Sequence, residues 1–196
     1  MTESELNSNY WNERYKSDDA KWDIGSVSTP LKEYFDTLQN RDLRILIPGA
    51  GNCYEGEYLL QKGFTNITVL DYAPEAIESF RKRIGNDKKI KLVCGDFFAH
   101  TGQYDLIIEQ TFFCALDPSL REAYAKKMRE LLAPAGKLVG LLFTTVLNPI
   151  GPPFPGSEDE YEKLFSKEFF INKMEPCYNS IKPREGRELF FSLSGK

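Results

Sequence analysis

The chain has 196 residues, of which 41% are hydrophobic and 28% charged, with a formal net charge of -4; this balance suits one soluble domain with its own core and leaves little length for separate cofactor and substrate domains. The acidic balance argues against a large nucleic-acid footprint, which needs a concentrated basic face, and the short basic clusters at 81–83 and 88–91 read as solvated surface. Four cysteines without a C-x-x-C pair and a single histidine, His100, offer few ligands for zinc and fit reduced thiols in a cytoplasm, while no signal peptide or membrane-length apolar run is legible.

In chain order, "NYWNERYKS" (9–17) reads as a short helix with Asn9 as cap and Trp11 and Tyr15 on one face. "KWDIGSVSTP" is a loop carrying Trp22, and "TPLKEYFDTLQ" (29–39) is an amphipathic helix with Thr29 as cap and Pro30 at its first position. "LRILIP" (43–48) is the apolar run of a strand buried on both faces. Then come a helix over 54–62, the strand "NITVLDY", a helix over 74–84, and the strands "IKLVCGD" and "YDLIIEQ". A long helix, "PSLREAYAKKMRELLAP", precedes the strand "GKLVGLLFTTV". The alternation implies right-handed crossovers and a mostly parallel, doubly wound α/β sheet with helices on both faces. The loop "LNPIGPPFPGSEDE" leads into a helix, and "FINKMEPCYNSI" with "RELFFSLSG" forms a terminal antiparallel hairpin turning near 182–186.

Gly49 and Gly51 end the first strand where backbone can approach a ligand closely. The dinucleotide pattern G-x-G-x-x-G would need a third glycine where Tyr54 stands, which weakens a pyrophosphate site. Asp71 ends the second strand, where a carboxylate can bond a ribose diol or cap the next helix. "CGDFF" adds Asp96 for an adenine amino group and Phe97 or Phe98 for its ring; "IIEQTFFCAL" adds a fourth strand end. This set suits S-adenosylmethionine, whose sulfonium is attracted to aromatic faces such as Trp11, Tyr15 and Trp22. In the plainer reading those rings only cap the core.

These residues resemble the thiopurine S-methyltransferase-like branch of class I S-adenosylmethionine-dependent methyltransferases, and within it the halide, thiocyanate and thiol methyltransferases. The resemblance runs from about Tyr10 to the final strand and implies a Rossmann-like methyltransferase fold. "YWNERYKSDDAKW" resembles the family's aromatic pattern, with Tyr15 where tryptophan is common. "LIPGAGNCYEG" resembles its glycine motif, which assigns Gly49 and Gly51 to the methionine portion of the donor. "LDYAPEAI" resembles its ribose motif at Asp71 and Tyr72, and "GDFF" its adenine motif at Asp96 and Phe97. "FFCALDP" and the following helix look most like the halide and thiol branch. Gln110 falls where that branch carries tyrosine near the transferable methyl, and Phe154 in "GPPF" where it has tyrosine near substrate.

The resemblance implies methyl transfer to a thiol, hydrosulfide, halide or thiocyanate, or to a thiopurine. Such acceptors arrive ionised or nearly so, and alignment and water exclusion are then the main tasks. Glu109 can orient the donor's amino group, accept a proton or cap the next helix; Cys53 and Cys114 read as packing. Competing readings are a nucleoside-binding domain without turnover and an NAD-dependent oxidoreductase. A single cytoplasmic, monomeric domain is expected, with a helical lid over 1–40, a cofactor-binding core over 41–147 and a substrate segment over 148–196, and no metal, nucleic-acid or membrane partner.

Overall fold

The computed structural model describes residues 5–17, 19–20, 22–145 and 151–196. The end of the expected strand at Val146 and the first part of the proline-rich loop, 147–150, lie outside the described residues.

A seven-stranded sheet forms the centre, in the order β3-β2-β1-β4-β5-β7-β6. Its strands are β1 (Ile45–Pro48), β2 (Ile67–Asp71), β3 (Ile90–Cys94), β4 (Tyr104–Gln110), β5 (Leu132–Phe143), β6 (Phe169–Pro176) and β7 (Glu188–Gly195). Pairings among β1 to β5 are parallel, whereas β7 runs antiparallel to both β5 and β6. This is the expected mostly parallel sheet with a terminal hairpin. All residues of β1 and β2 are buried, as two covered faces demand.

The helices are α1 (Ser8–Lys16), α2 (Thr29–Thr37), α3 (Tyr54–Gln61), α4 (Pro74–Ile84), α5 (Arg121–Leu131) and α6 (Glu158–Phe165). Alternate strand residues divide between two cores, as the period of two requires. Ile45, Ile47 and Val69 pack with Leu31 of α2, Leu59 of α3 and Phe80 of α4. Leu46, Leu70 and Ile107 pack on the other face with Met128 of α5 and Phe165 of α6. The chain leaves β1 toward β2 and β3 and returns to its other side for β4, so a crevice opens where the order reverses, at the carboxyl ends of β1 and β4.

Two expected caps are corrected. Asn7, not Asn9, caps α1, its side chain accepting the Tyr10 N–H at 3.1 Å. Ser28, not Thr29, stands at the α2 cap position, without a side-chain bond to the helix. Likewise α5 begins at Arg121, because Pro118–Leu120 form a separate 3-10 turn held by Asp117.

Candidate functional site

Sharp chain reversal at the end of β1 produces the glycine turn. Gly49 (φ +55°), Gly51 (φ +53°) and Cys53 (φ +54°) all lie in the left-handed region, where a side chain is costly for most residues. Space reinforces this: a Cβ on Gly49 would come within 2.2 Å of the Phe112 ring, and one on Gly51 within 2.6 Å of the Tyr15 hydroxyl. Asp71, buried at the end of β2, accepts the Gly51 N–H at 2.9 Å and the Ala73 N–H at 2.8 Å. One carboxylate therefore ties the first two strand-end turns together. Burial pushes its carboxyl up, and these backbone N–H groups pull it back. A carboxylate has about four acceptor sites, so a further donor can still be met.

The aromatic segment lies across this turn. Trp22 meets Trp11 at 5.4 Å and Tyr15 at 5.8 Å between ring centroids, both edge to face. Burial and then the Asp71 charge push the Tyr15 phenol far up, so it stays protonated. Helix α1 docks through polar contacts: Ser8 Oγ donates to the Tyr72 carbonyl at 2.6 Å, and Asn12 Oδ1 accepts the Glu75 N–H at 2.9 Å. Tyr72 in turn donates its hydroxyl to the Leu6 carbonyl, and burial raises its phenol to about 12.

After β3, exposed Asp96 accepts the Phe98 N–H at 2.9 Å. Phe97 turns into the core, 5.0 Å from Phe112 and 5.7 Å from Tyr124 between centroids, and half-buried Phe98 is the neighbour with open surface. At the end of β4 the Gln110 Oε1 is buried without a hydrogen-bond partner, and Thr111 follows with φ +60°. Both features carry a cost and fall together where the crevice opens.

Glu109 faces inward. Its side chain is wholly buried, Oε1 accepts the Phe112 and Phe113 N–H groups at 2.8 and 2.9 Å, and Oε2 accepts the Tyr124 hydroxyl at 2.5 Å. Burial raises its carboxyl to about 7 against these bonds. Of its three possible roles, this geometry corresponds to capping: the carboxylate holds the 3-10 turn Phe113–Ala115 and has no exposed surface for the other two. That turn anchors the second loop, since the Phe154 N–H donates to the Cys114 carbonyl at 2.7 Å. Arg121 Nη2 adds bonds to the Phe154 and Pro155 carbonyls at 3.0 Å each, and the Pro152-Pro153 peptide is cis.

His100 stands elsewhere, its Nε2 2.8 Å from the Tyr104 hydroxyl at the start of β4. Cys53 and Cys114 are buried, and burial pushes both thiols far up, which keeps them protonated. An open hollow of about 590 Å³ lies at the opposite edge, lined by Gln103, Arg129 and Lys196 among others, and touches none of the strand-end groups. Among the described residues, no helix is long and apolar enough to cross a membrane, and no cluster of three His, Cys, Asp or Glu is placed to hold a metal ion.

Arg184 escaped the sequence reading. It is buried in the turn before β7, pairs with Glu188 at 3.2 Å, donates Nη2 to the Trp22 carbonyl at 2.6 Å and lies 5.2 Å from the Phe143 ring centroid. Within the polar run "KPREGRE" its only signal was the i,i+4 spacing to Glu188.

The thiopurine S-methyltransferase family model matches residues 6–190. The chain is 31% identical to probable thiol methyltransferase 2 of Arabidopsis thaliana over 166 residues, covering 82% of this chain and 73% of that protein. It is 30% identical to thiocyanate methyltransferase 1 of Brassica oleracea over 185 residues, covering 91% and 81%. Among solved structures it resembles the 1,6-didemethyltoxoflavin-N1-methyltransferase of Burkholderia thailandensis, with TM-score 0.79, 16% identity and coverage of 100% and 91%.

Proposed function

From the premise that this chain belongs to the thiopurine S-methyltransferase family, we propose that it carries a methyl group from S-adenosylmethionine to a small soft nucleophile, a thiol or hydrosulfide, by direct in-line displacement. The observation that carries this reading is a convergence at one sheet edge. There the left-handed glycine turn, the Asp71 carboxylate and the rings of Trp11, Tyr15 and Trp22 meet.

The residues present fit such a donor. Gly49 and Gly51 keep Cβ atoms out of the turn, Asp71 retains acceptor capacity for a ribose diol, and the orphaned Gln110 Oε1 offers a buried acceptor at the β4 end. Tyr72 flanks the ribose, and Asp96 and Phe97 belong to the turn assigned to adenine. When bound, S-adenosylmethionine supplies an electrophilic methyl group on a sulfonium. The chain's own work is to shield that charge with aromatic faces, exclude water and align the acceptor, each able to contribute several kcal/mol. Phe154 borders the acceptor side through its loop, which the Glu109-capped turn holds in place. No general base is required for an acceptor that arrives ionised, and the buried, protonated Cys53 and Cys114 serve packing.

In this reading the chain works as one cytoplasmic unit. The covering segment ends before α2, whose Leu31 and Phe35 are core, residues 41–147 hold the donor, and 148–196 shape the acceptor side. A thermal-shift comparison tests the donor: S-adenosylhomocysteine raises the unfolding midpoint with concentration, and stabilisation by NAD alone overturns the assignment. Asp71→Ala weakens donor binding by about 1–3 kcal/mol, measured by titration calorimetry; unchanged affinity removes Asp71 from the site.

A further inference from the structure

Tyr54, the residue that breaks the dinucleotide glycine pattern, stands at the first position of α3 and reaches across to the aromatic segment. Asp23 directly follows Trp22. Its Oδ2 accepts the Tyr54 hydroxyl at 3.2 Å and the side-chain amide of Asn52, while Oδ1 accepts the Gly25 N–H at 2.6 Å. Both oxygens of this half-buried carboxylate are engaged, and two of its partners belong to the turn over which Tyr15 lies.

The Tyr54 ring is itself held. Arg83 of α4 lies 5.0 Å from its centroid, donates to the Asn52 carbonyl and pairs with Glu57 at 3.3 Å. The phenol is therefore pointed before it meets Asp23. The contacts then form a closed circuit: Tyr54 holds Asp23, Asp23 fixes Trp22, Trp22 meets Trp11 and Tyr15 edge to face, and Tyr15 returns to Gly51. On its far side the same short segment is held by the bond from Arg184 to the Trp22 carbonyl.

We propose that Tyr54 and Asp23 are positioning residues that latch the aromatic segment onto the glycine turn and set how long the donor stays bound. This rests on the reading of the glycine turn as the donor site. The latch has no part in the transfer itself, because neither side chain is needed to accept the methyl group or to move a proton. It acts on release: a hydrogen bond of ordinary net strength, about 0.5–1.5 kcal/mol, changes a lifetime severalfold when it must break before the ligand leaves.

Stopped-flow fluorescence tests this on the intact chain, whose two tryptophans both lie in the latched segment. With S-adenosylhomocysteine as the probe, Tyr54→Phe keeps the ring under Arg83 and removes only the hydroxyl. It is expected to speed dissociation about three- to tenfold, with association within about twofold of wild type and an unfolding midpoint lowered by no more than about 2–4 °C in the absence of ligand. Asp23→Ala speeds release further, and the double variant releases no faster than Asp23→Ala, since both remove one link. Wild-type dissociation in Tyr54→Phe, or strict additivity in the double variant, overturns the latch. Failure of the wild-type chain to bind S-adenosylhomocysteine overturns the donor site instead.

Discussion

The first two helices are each nine residues long and are held in opposite ways. Helix α2 buries Pro30, Leu31 and Phe35, and its Leu31 and Phe35 have no exposed surface. Helix α1 buries no residue completely, its most enclosed group being the partly buried Tyr15, and docks through the Ser8 and Asn12 hydrogen bonds and the edge-to-face rings. Apolar burial is worth about 1.5–3 kcal/mol per large side chain, whereas a hydrogen bond exchanged for water nets about 1 kcal/mol. Helix α2 is thus part of the fold, and α1, in the proposed function, is the cover over the donor. Adjacent segments of similar length divide stability and access between them.

The contrast is broken or sharpened first by Phe35→Ala, which is expected to cost about 3–5 kcal/mol in urea unfolding. A loss below about 1 kcal/mol would place α2 outside the core. The next effect concerns the core on the opposite face of the sheet from α2, around Phe112, Phe113 and Tyr124. Glu109 titrates near 7 in the fold against an ordinary 4.5, so the native state binds its proton more tightly than the unfolded chain. Its contribution is present below about pH 4.5 and is lost as pH rises through about 7. Glu109→Gln therefore gains on wild type over that window, by roughly 1–3 kcal/mol, while the raised Asp71 and Glu55 carboxyls act alike in both proteins. Parallel pH profiles of unfolding free energy for the two proteins contradict this.

Smaller still is Trp11→Ala in the cover. Unfolding free energy is expected to fall by no more than about 1 kcal/mol, while affinity for S-adenosylmethionine, which carries the sulfonium charge, drops by about 1 kcal/mol through the lost cation–π face. Destabilisation comparable to Phe35→Ala would make α1 core and erase the distinction. Asn12→Ala, which removes one part-buried bond to α4, changes stability least, by about 0.5 kcal/mol, as measured by chemical unfolding.

Where local pattern and tertiary packing agree, the elements were legible in the sequence to the residue: α4 begins at Pro74 and ends at Ile84, and β4 spans Tyr104–Gln110 as read. Boundaries moved where contacts distant in sequence decide them. Strand β5 starts at Leu132, through Pro134, because Leu132 pairs with Tyr104 across a register shift. The α1 cap moved because two nearby asparagines compete, and only Asn7 reaches the Tyr10 N–H. Residues 1–40 read as one lid because both helices have an apolar face, and only the three-dimensional packing separates them. The inward turn of Glu109 depends on Tyr124 and the Phe112 and Phe113 N–H groups, an arrangement that strand periodicity does not encode. Arg184 was hidden for the converse reason: its partners are a carbonyl in the N-terminal segment and a ring on β5.

The central claim is transfer to a soft nucleophile. It is tested most directly by incubating the protein with methyl-labelled S-adenosylmethionine and sodium hydrosulfide in a sealed vessel, then quantifying headspace methanethiol and dissolved S-adenosylhomocysteine. The account predicts one S-adenosylhomocysteine for each labelled methyl group recovered, as methanethiol or as the dimethyl sulfide made from it, with other small thiols also methylated. Tight donor binding with no methylated product from hydrosulfide, thiols, thiopurines, iodide or thiocyanate would contradict it.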